Sequence, residues 1–386
     1  MILQTYRPTL RYNLTMPFRD IYGQEMTITW LQRSILENQV GHAYMFAGPE
    51  GIGKRTLALA YARALNCTDE EAQATGDFCG HCRSCRMIEL GQHPDVRLLT
   101  PETCGGKTVI PIDAIRTKVG ESPSHPLPLR EDAQLRPMEG RFKVYIIDPA
   151  NRPGLQEDAG NALLLTLEEP PSYVVMILIS SRPSAVLPTL VSRCRPVRLQ
   201  LAPREVVEQA LRIHGDISEE QIIAIAGMAA GRVGWALSVG TNPEALQTRH
   251  SLLEGVGKYY ALGRRSALRA AEMLHLLATG VDLSADATTD DTKARTTADR
   301  QVRRNLPELL DITASWWRDM LLVEMGQGDM IINLDFATDI KRNAGRHSTT
   351  ELRQGLQIIL KTKRLIERNV NIDLALESMW MNILPI

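Results

Sequence analysis

Gly48 to Thr56 read GPEGIGKRT, a phosphate-cradling loop that is complete through its lysine and broken at the next residue. The pattern G-x-x-x-x-G-K-[ST] uses glycines to turn backbone N–H groups toward phosphates, a lysine for the outer phosphates and a hydroxyl for magnesium. Gly48, Gly53 and Lys54 fill their places, Pro49, Glu50, Gly51 and Ile52 lie between, and Arg55 stands where the hydroxyl belongs. Thr56 comes one residue late, about 100° further round a helix of ~3.6 residues per turn, so it cannot simply substitute. The loop predicts nucleotide binding with impaired hydrolysis. Its flanks agree: Ala43 to Ala47 is an apolar run suited to a buried parallel strand, and Leu57 to Leu65 is alanine- and leucine-rich helix.

A chain of 386 residues with 44% apolar content suggests two or three domains with ample cores. With 44 basic and 45 acidic side chains the net charge is −1, which argues against a surface built for indiscriminate nucleic-acid binding. No apolar stretch approaches the roughly 20 residues of a spanning helix, and the first residues lack a signal peptide's apolar core. The expectation is a cytoplasmic protein that does not engage membranes. Residues 1–17 read as a disordered extension or, with Met16 opening a fresh run, as an over-called start, and the Asp-, Thr- and Ala-rich stretch from Gly280 to Asp299 reads as a solvated loop.

Four of the six cysteines, Cys67, Cys79, Cys82 and Cys85, form a C-x11-C-x2-C-x2-C array directly after the predicted P-loop helix. The short spacings let three thiolates turn around one ion, Gly80 relieves the tight backbone, and Cys67 closes the shell from the helix end. The expectation is a closed, structural, tetrahedral zinc site. Disulfides are disfavoured in a reducing compartment, and a redox CxxC pair would sit at a helix start in a thioredoxin-like context. His81 is expected to point outward and His93 to be a satisfied loop histidine. Cys104 and Cys194 read as ordinary buried or partly buried thiols.

Lys143 to Asp148 (KVYIID) is an aliphatic run ending in a carboxylate, the form of the strand that places an aspartate beside the P-loop magnesium. A glutamate normally follows to orient the attacking water, and here Pro149 follows instead. Together with Arg55 this predicts a slow or absent ATPase.

Asn161 to Pro171 (NALLLTLEEPP), the strand Val174 to Ile179 and Leu187 to Cys194 (LPTLVSRC), with Phe18 to Gln24 (FRDIYGQ), Gly41 to Gly48 (GHAYMFAG) and the cysteine insert, resemble the AAA+ clamp-loader subunits of bacterial replicative polymerase. The resemblance covers residues 18 to 240 strongly, and more weakly the RDMLL stretch and the closing NVNIDLALESMWMNILP. It implies ATP as the nucleotide and Arg193 as an arginine finger reaching a neighbouring subunit's ATP. From the residues alone, Arg193 reads as pairing with a carboxylate or capping a helix. Ser180 or Ser181 stands at the first sensor position. In the second sensor segment, Gly231 to Leu237, Gly234 replaces the usual arginine and Arg232 lies two residues earlier. Leu165 stands where relatives commonly show lysine. Glu168 and Glu169, before Pro170 and Pro171, read equally as solvated helix-end acids or as a partner contact.

The fold expected is an α/β AAA+ P-loop domain with a parallel sheet (18–202, zinc insert 67–85), a small helical lid (203–240) and an all-α collar (241–386). The helix from Asn161 to Leu167 is expected to be core, and Leu306 to Met325 and Leu352 to Val370 to be amphipathic helices. The role implied by the resemblance is an ATPase-poor stator that ties a ring with delta and tau/gamma subunits, helps load the sliding clamp onto primed DNA, and has no independent catalysis within the DNA-directed DNA polymerase assembly. Two alternatives remain. One is an autonomous AAA+ ATPase, either a motor subunit or a helicase loader. The other is a zinc-dependent DNA binder with a vestigial P-loop, using a local basic face around Arg83 and Arg86.

Overall fold

The computed structural model describes residues 17–104, 109–117, 126–151, 154–279, 292–367 and 370–385. By packing, the chain divides into two compact units, one running through Val207 and including Ala230–Trp235, the other made of Glu208–Ala229 and Ala236 onward. The division falls inside the stretch 203–240 that the sequence sets apart as a lid.

In the first unit, α1 (Glu25–Leu36) precedes β1 (Ala43–Ala47), which runs through the glycine loop into α2 (Lys54–Asn66). The insert carries α3 (Glu70–Ala74) and α4 (Arg83–Glu89) before β2 (Val96–Leu99). Then follow α5 (Leu129–Ala133), β3 (Lys143–Ile147), α6 (Glu157–Glu168), β4 (Val174–Ser180), α7 (Pro188–Val191), β5 (Arg195–Arg198) and the start of α8 (Arg204–His214). All strands pair in parallel, in the order β2-β3-β4-β1-β5. Every residue of β1, β3 and β4 is buried, because helices cover both faces of a parallel sheet and leave no face for alternating polar residues. Tyr44 and Phe46 join Leu31, Leu57 and Tyr61 of α1 and α2 on one side. Ala43 and Met45 join Leu155, Ala159 and Leu163 on the other. The α/β class implied by the loop is therefore the one found.

Helix α6 corrects one detail. Leu163 and Leu167 are buried, whereas Leu165 is 54% exposed, because a helix laid on a sheet presents only one stripe to it.

The second unit is helical: the rest of α8, α9 (Glu219–Ala229), most of α10 (Val233–Gly240), α11 (Pro243–Leu262), α12 (Ala267–Thr279), α13 (Thr292–Glu324), α14 (Ala337–Ala344), α15 (Thr349–Glu367) and α16 (Ile372–Ile383). Its core is built on Trp316, Trp317, Trp380 and Tyr260, with Trp317 5.8 Å from the Tyr260 ring and 6.0 Å from that of Trp380, centroid to centroid. Both amphipathic helices expected here are present, as α13 and α15. The loop expected through Asp299 is overturned over 292–299, where α13 has already begun. That stretch lacks Gly and Pro, and its Ala, Lys and Arg residues favour helix. Residues 280–291, like the N-terminal extension through Met16, lie outside the described residues.

Candidate nucleotide site and cysteine centre

Because β1 and β3 are parallel and separated only by β4, the loop after β1 and the carboxylate after β3 emerge at the same edge of the sheet. Gly51 and Gly53 hold φ of +74° and +103°, a region that side chains disfavour, so these two glycines of the loop are used for conformation. Lys54 opens α2 and is 8% exposed. Its Nζ donates to the carbonyls of Gly48 (2.8 Å) and Pro49 (2.7 Å), closing the loop into a ring. Burial pushes the Lys54 pKa down, opposed by the charges of Asp148 and Glu50. An ammonium has three donors, so two are spent on the loop and one remains for a phosphate.

Arg55 points across the strand ends, and its Nε donates to Asp148 Oδ2 at 2.6 Å. The guanidinium thus takes the carboxylate that the motif reserves for a metal-bound water. Thr56 follows on α2, the next residue round the helix. Pro149 joins Asp148 through a cis peptide and carries no titratable group.

The two segments expected to carry sensors also have defined surroundings. Ser180 is fully buried, its Oγ donates to Asn151 Oδ1 (3.1 Å) and accepts from the Arg182 N–H (3.1 Å). These are internal bonds, and Asn151 was not anticipated from the sequence. Ser181 is only partly buried. In the second expected sensor segment, Trp235 N–H donates to the Gly51 carbonyl at 2.7 Å. A Cβ on Gly234 would stand 2.7 Å from Gly51 O and 3.2 Å from Gly53 N. Glycine at 234 is therefore a packing requirement: this segment lies directly on the loop. Arg232 stacks on the Trp235 ring, 5.1 Å from its centroid.

Arg193 lies just beyond α7. Its Nη2 donates to Glu168 Oε1 (2.6 Å) and its Nη1 to the Thr189 carbonyl (3.0 Å), with the two charged side chains 35% and 45% exposed. Glu168, expected as either a solvated helix-end acid or a partner contact, forms an ion pair within the chain.

The four cysteines come together from three places. Cys67 caps the end of α2, Cys79 lies in the connection, and Cys82 and Cys85 open α4. Cys67 Sγ is 3.7 Å from that of Cys79 and 4.0 Å from that of Cys82, and all four sulfurs lie within 4.8 Å of one another. The thiols are free, and the group can hold a metal ion. Backbone N–H groups support anionic sulfur: Cys79 N–H donates to Cys67 Sγ (3.4 Å), Cys82 N–H to Cys79 Sγ (3.2 Å) and Cys85 N–H to Cys82 Sγ (3.4 Å). Burial pushes Cys67 up to about 11 and raises Cys85 as well. For Cys82 burial is outweighed by hydrogen bonds from Thr68 and Cys85, which hold it down at about 6. Thr68 carried no signal in the spacing.

His81 is exposed, with Nδ1 3.0 Å from the Cys79 carbonyl, and stands outside the four-sulfur group. His93 is buried: its Nδ1 accepts from Asp95 N–H and its Nε2 lies by Ser84 Oγ, both at 3.1 Å. Cys194 is buried and Cys104 half-buried, both pushed up by burial.

Residues 23–203 match the family model described as DNA polymerase III, delta subunit, and residues 299–383 match that of its C-terminal part. The chain is 34% identical over 244 residues to DNA polymerase III subunit delta' of Escherichia coli (strain K12), covering 62% of this chain and 68% of that one. The chain belongs to the delta' family of DNA polymerase III subunits. The delta' subunit of Bacillus subtilis (strain 168) is 26% identical over 356 residues, 92% of this chain and 94% of its own length. DNA polymerase III subunit tau/gamma of Haemophilus influenzae is 33% identical over 238 residues, which are 60% of this chain. The chain spans only 31% of that relative's length. Among the described residues of this delta' family member, no helix is long and apolar enough to cross a membrane.

Proposed function

We propose that this delta' family member is a stator of the clamp loader: a nucleotide-binding subunit that does not turn ATP over itself and instead completes the ATP site of a neighbouring tau/gamma-type subunit. Its partners would be the delta and tau/gamma subunits, the sliding clamp and, through the assembly, primed DNA. The observation that carries this reading is the Arg55–Asp148 ion pair. A cation fixed to the P-loop helix neutralises the carboxylate that magnesium needs, and Pro149 leaves no general base after it. Gly48 to Thr56 and Asp148 would then hold ATP without splitting it.

Arg193 supplies the finger in this reading. Its pair with Glu168 is partly exposed, and pairs of that kind contribute about 0–1 kcal/mol. Exchanging Glu168 for a neighbour's phosphate is therefore inexpensive, and until then the pair holds the guanidinium at the surface. The cysteines would bind structural zinc. A tetrahedral ion with Zn–S of about 2.3 Å needs sulfurs about 3.8 Å apart, which the separations of 3.7 and 4.0 Å match.

The test is ATP turnover by the partner subunits with clamp and primed DNA, adding either the native chain or Arg193→Ala. The native chain should raise turnover, and the variant should assemble yet lose most of that rise, because trans arginine fingers are worth about 10³–10⁵ in rate. Equal turnover with both would remove Arg193 from the role.

A further inference from the structure

Arg63 lies on the buried side of α2 and is 2% exposed. Its Nε and Nη2 have no hydrogen-bond partner among the described residues. The guanidinium lies over the Phe78 ring, 5.5 Å from the centroid. A buried charge with two such unpartnered nitrogens is costly, and a cation–π contact offsets only part of that cost. Some nearby negative charge must balance it.

Three features point to the cysteine centre. Arg63 lies in the last turn of α2 and Cys67 caps its end four residues on, which brings the two to one side of the helix terminus. Phe78 immediately precedes Cys79. Helix α4 packs on α2 and carries Cys85 and Glu89. Burial lowers the Arg63 pKa, and the charges of Glu89 and Cys85 oppose that fall. With the Cys85 thiol neutral, Glu89 is the lone counter-charge of the two. With four thiolates around a divalent ion the centre carries roughly −2.

We propose that Arg63 is the built-in counter-ion of the metal–thiolate centre, buried beside the cysteines because the loaded site is anionic, and that it tightens metal binding in return. The inference rests on the reading of the four cysteines as a zinc site. Linkage makes the effect reciprocal: a loaded centre stabilises the buried guanidinium, and an empty one leaves it poorly compensated.

The test uses the full chain and Arg63→Met, which keeps an unbranched side chain over Phe78 and removes the charge. Zinc release to the chelating dye 4-(2-pyridylazo)resorcinol gives the affinity, and thermal midpoints are recorded for loaded and stripped protein. Zinc affinity should fall about 10–100-fold, the range for groups that support metal ligands. The midpoint should drop in the loaded state and stay level or rise in the stripped state. A merely structural arginine would lower both alike, and that result, or unchanged zinc release, overturns the proposal. Arg63→Lys keeps the charge and should retain most of the affinity. A loss as large as that of Arg63→Met would also overturn it, and this variant carries the test if the methionine variant does not fold. Glu89→Gln should leave zinc release near native. If it instead reproduces the Arg63→Met loss, the charge balance belongs to Glu89 and the proposal fails. Cobalt substitution separates the two levels of the argument. Native protein without thiolate–cobalt absorption bands sinks the metal reading together with the role of Arg63. Bands with native affinity in Arg63→Met sink only the role of Arg63.

Discussion

Arg55→Thr would return the missing hydroxyl to the P-loop, and the structure sets how much should change. What Arg55 contributes to the folded chain is a single charged hydrogen bond to Asp148 at 2.6 Å, with the two side chains 44% and 15% exposed. Pairs this open to water contribute about 0–1 kcal/mol. In a unit of about 200 residues, 1 kcal/mol moves the melting midpoint by about 2–4 °C. The variant should therefore melt within about 4 °C of the native chain. The chemical change should be larger than the structural one. Asp148 would be released from the guanidinium, and a hydroxyl would point from the position whose side chain already reaches it. Nucleotide binding should become magnesium-dependent. Calorimetric titration with ATP in excess magnesium and in excess chelator should differ by about tenfold or more for the variant, equivalent to about 1.4 kcal/mol, and far less for the native chain. Turnover should still stay below about 1 s⁻¹, the low end for enzymes, because Pro149 cannot orient water. A variant whose nucleotide affinity ignores magnesium would refute the idea that Arg55 stands in the metal's place. Turnover faster than that bound would refute the role given to Pro149.

Two further outcomes follow from packing and protonation. Restoring the sensor arginine by Gly234→Arg should lower the urea midpoint, at a cost of about 1–3 kcal/mol for overpacking, since its Cβ meets Gly51 O and Gly53 N and backbone atoms cannot swing aside; an unchanged midpoint would show that the segment can shift off the loop. Burial pushes His93 below its ordinary value of 6.5, so the unfolded chain takes up a proton that the folded chain resists. The stability held by the neutral ring is present above pH 6.5 and is lost as pH falls through the depressed folded value, by at most about 1.4 kcal/mol per pH unit. Melting scans from pH 7.5 to 5 should show a steeper loss for the native chain than for His93→Gln, and parallel curves would exonerate His93.

Much of the fold was legible because its central elements are local patterns. Strands buried on both faces must be continuous apolar runs, so β1, β3 and β4 declared themselves. The edge strands β2 (VRLL) and β5 (RPVR) did not. Each has one neighbouring strand and keeps arginines, so its composition resembles a loop. The start of α13 was missed for the opposite reason: a polar stretch with good helix formers carries no apolar stripe to reveal it.

The candidate site divides in the same way. The glycine loop, its defect at Arg55, Pro149 and the spacing of the four cysteines are short-range facts, and the sequence by itself determined them, since each depends on residues within one turn or knuckle. Which groups meet is another matter. The Arg55–Asp148 pair joins residues 93 positions apart, Arg193 finds Glu168 across 25, and Trp235 closes on Gly51. Those meetings follow from the parallel strand order and from where each crossover helix comes to rest. Only the tertiary structure decided them, because strand order arises from long-range burial of whole faces and leaves no mark in the spacing of the residues that it brings together.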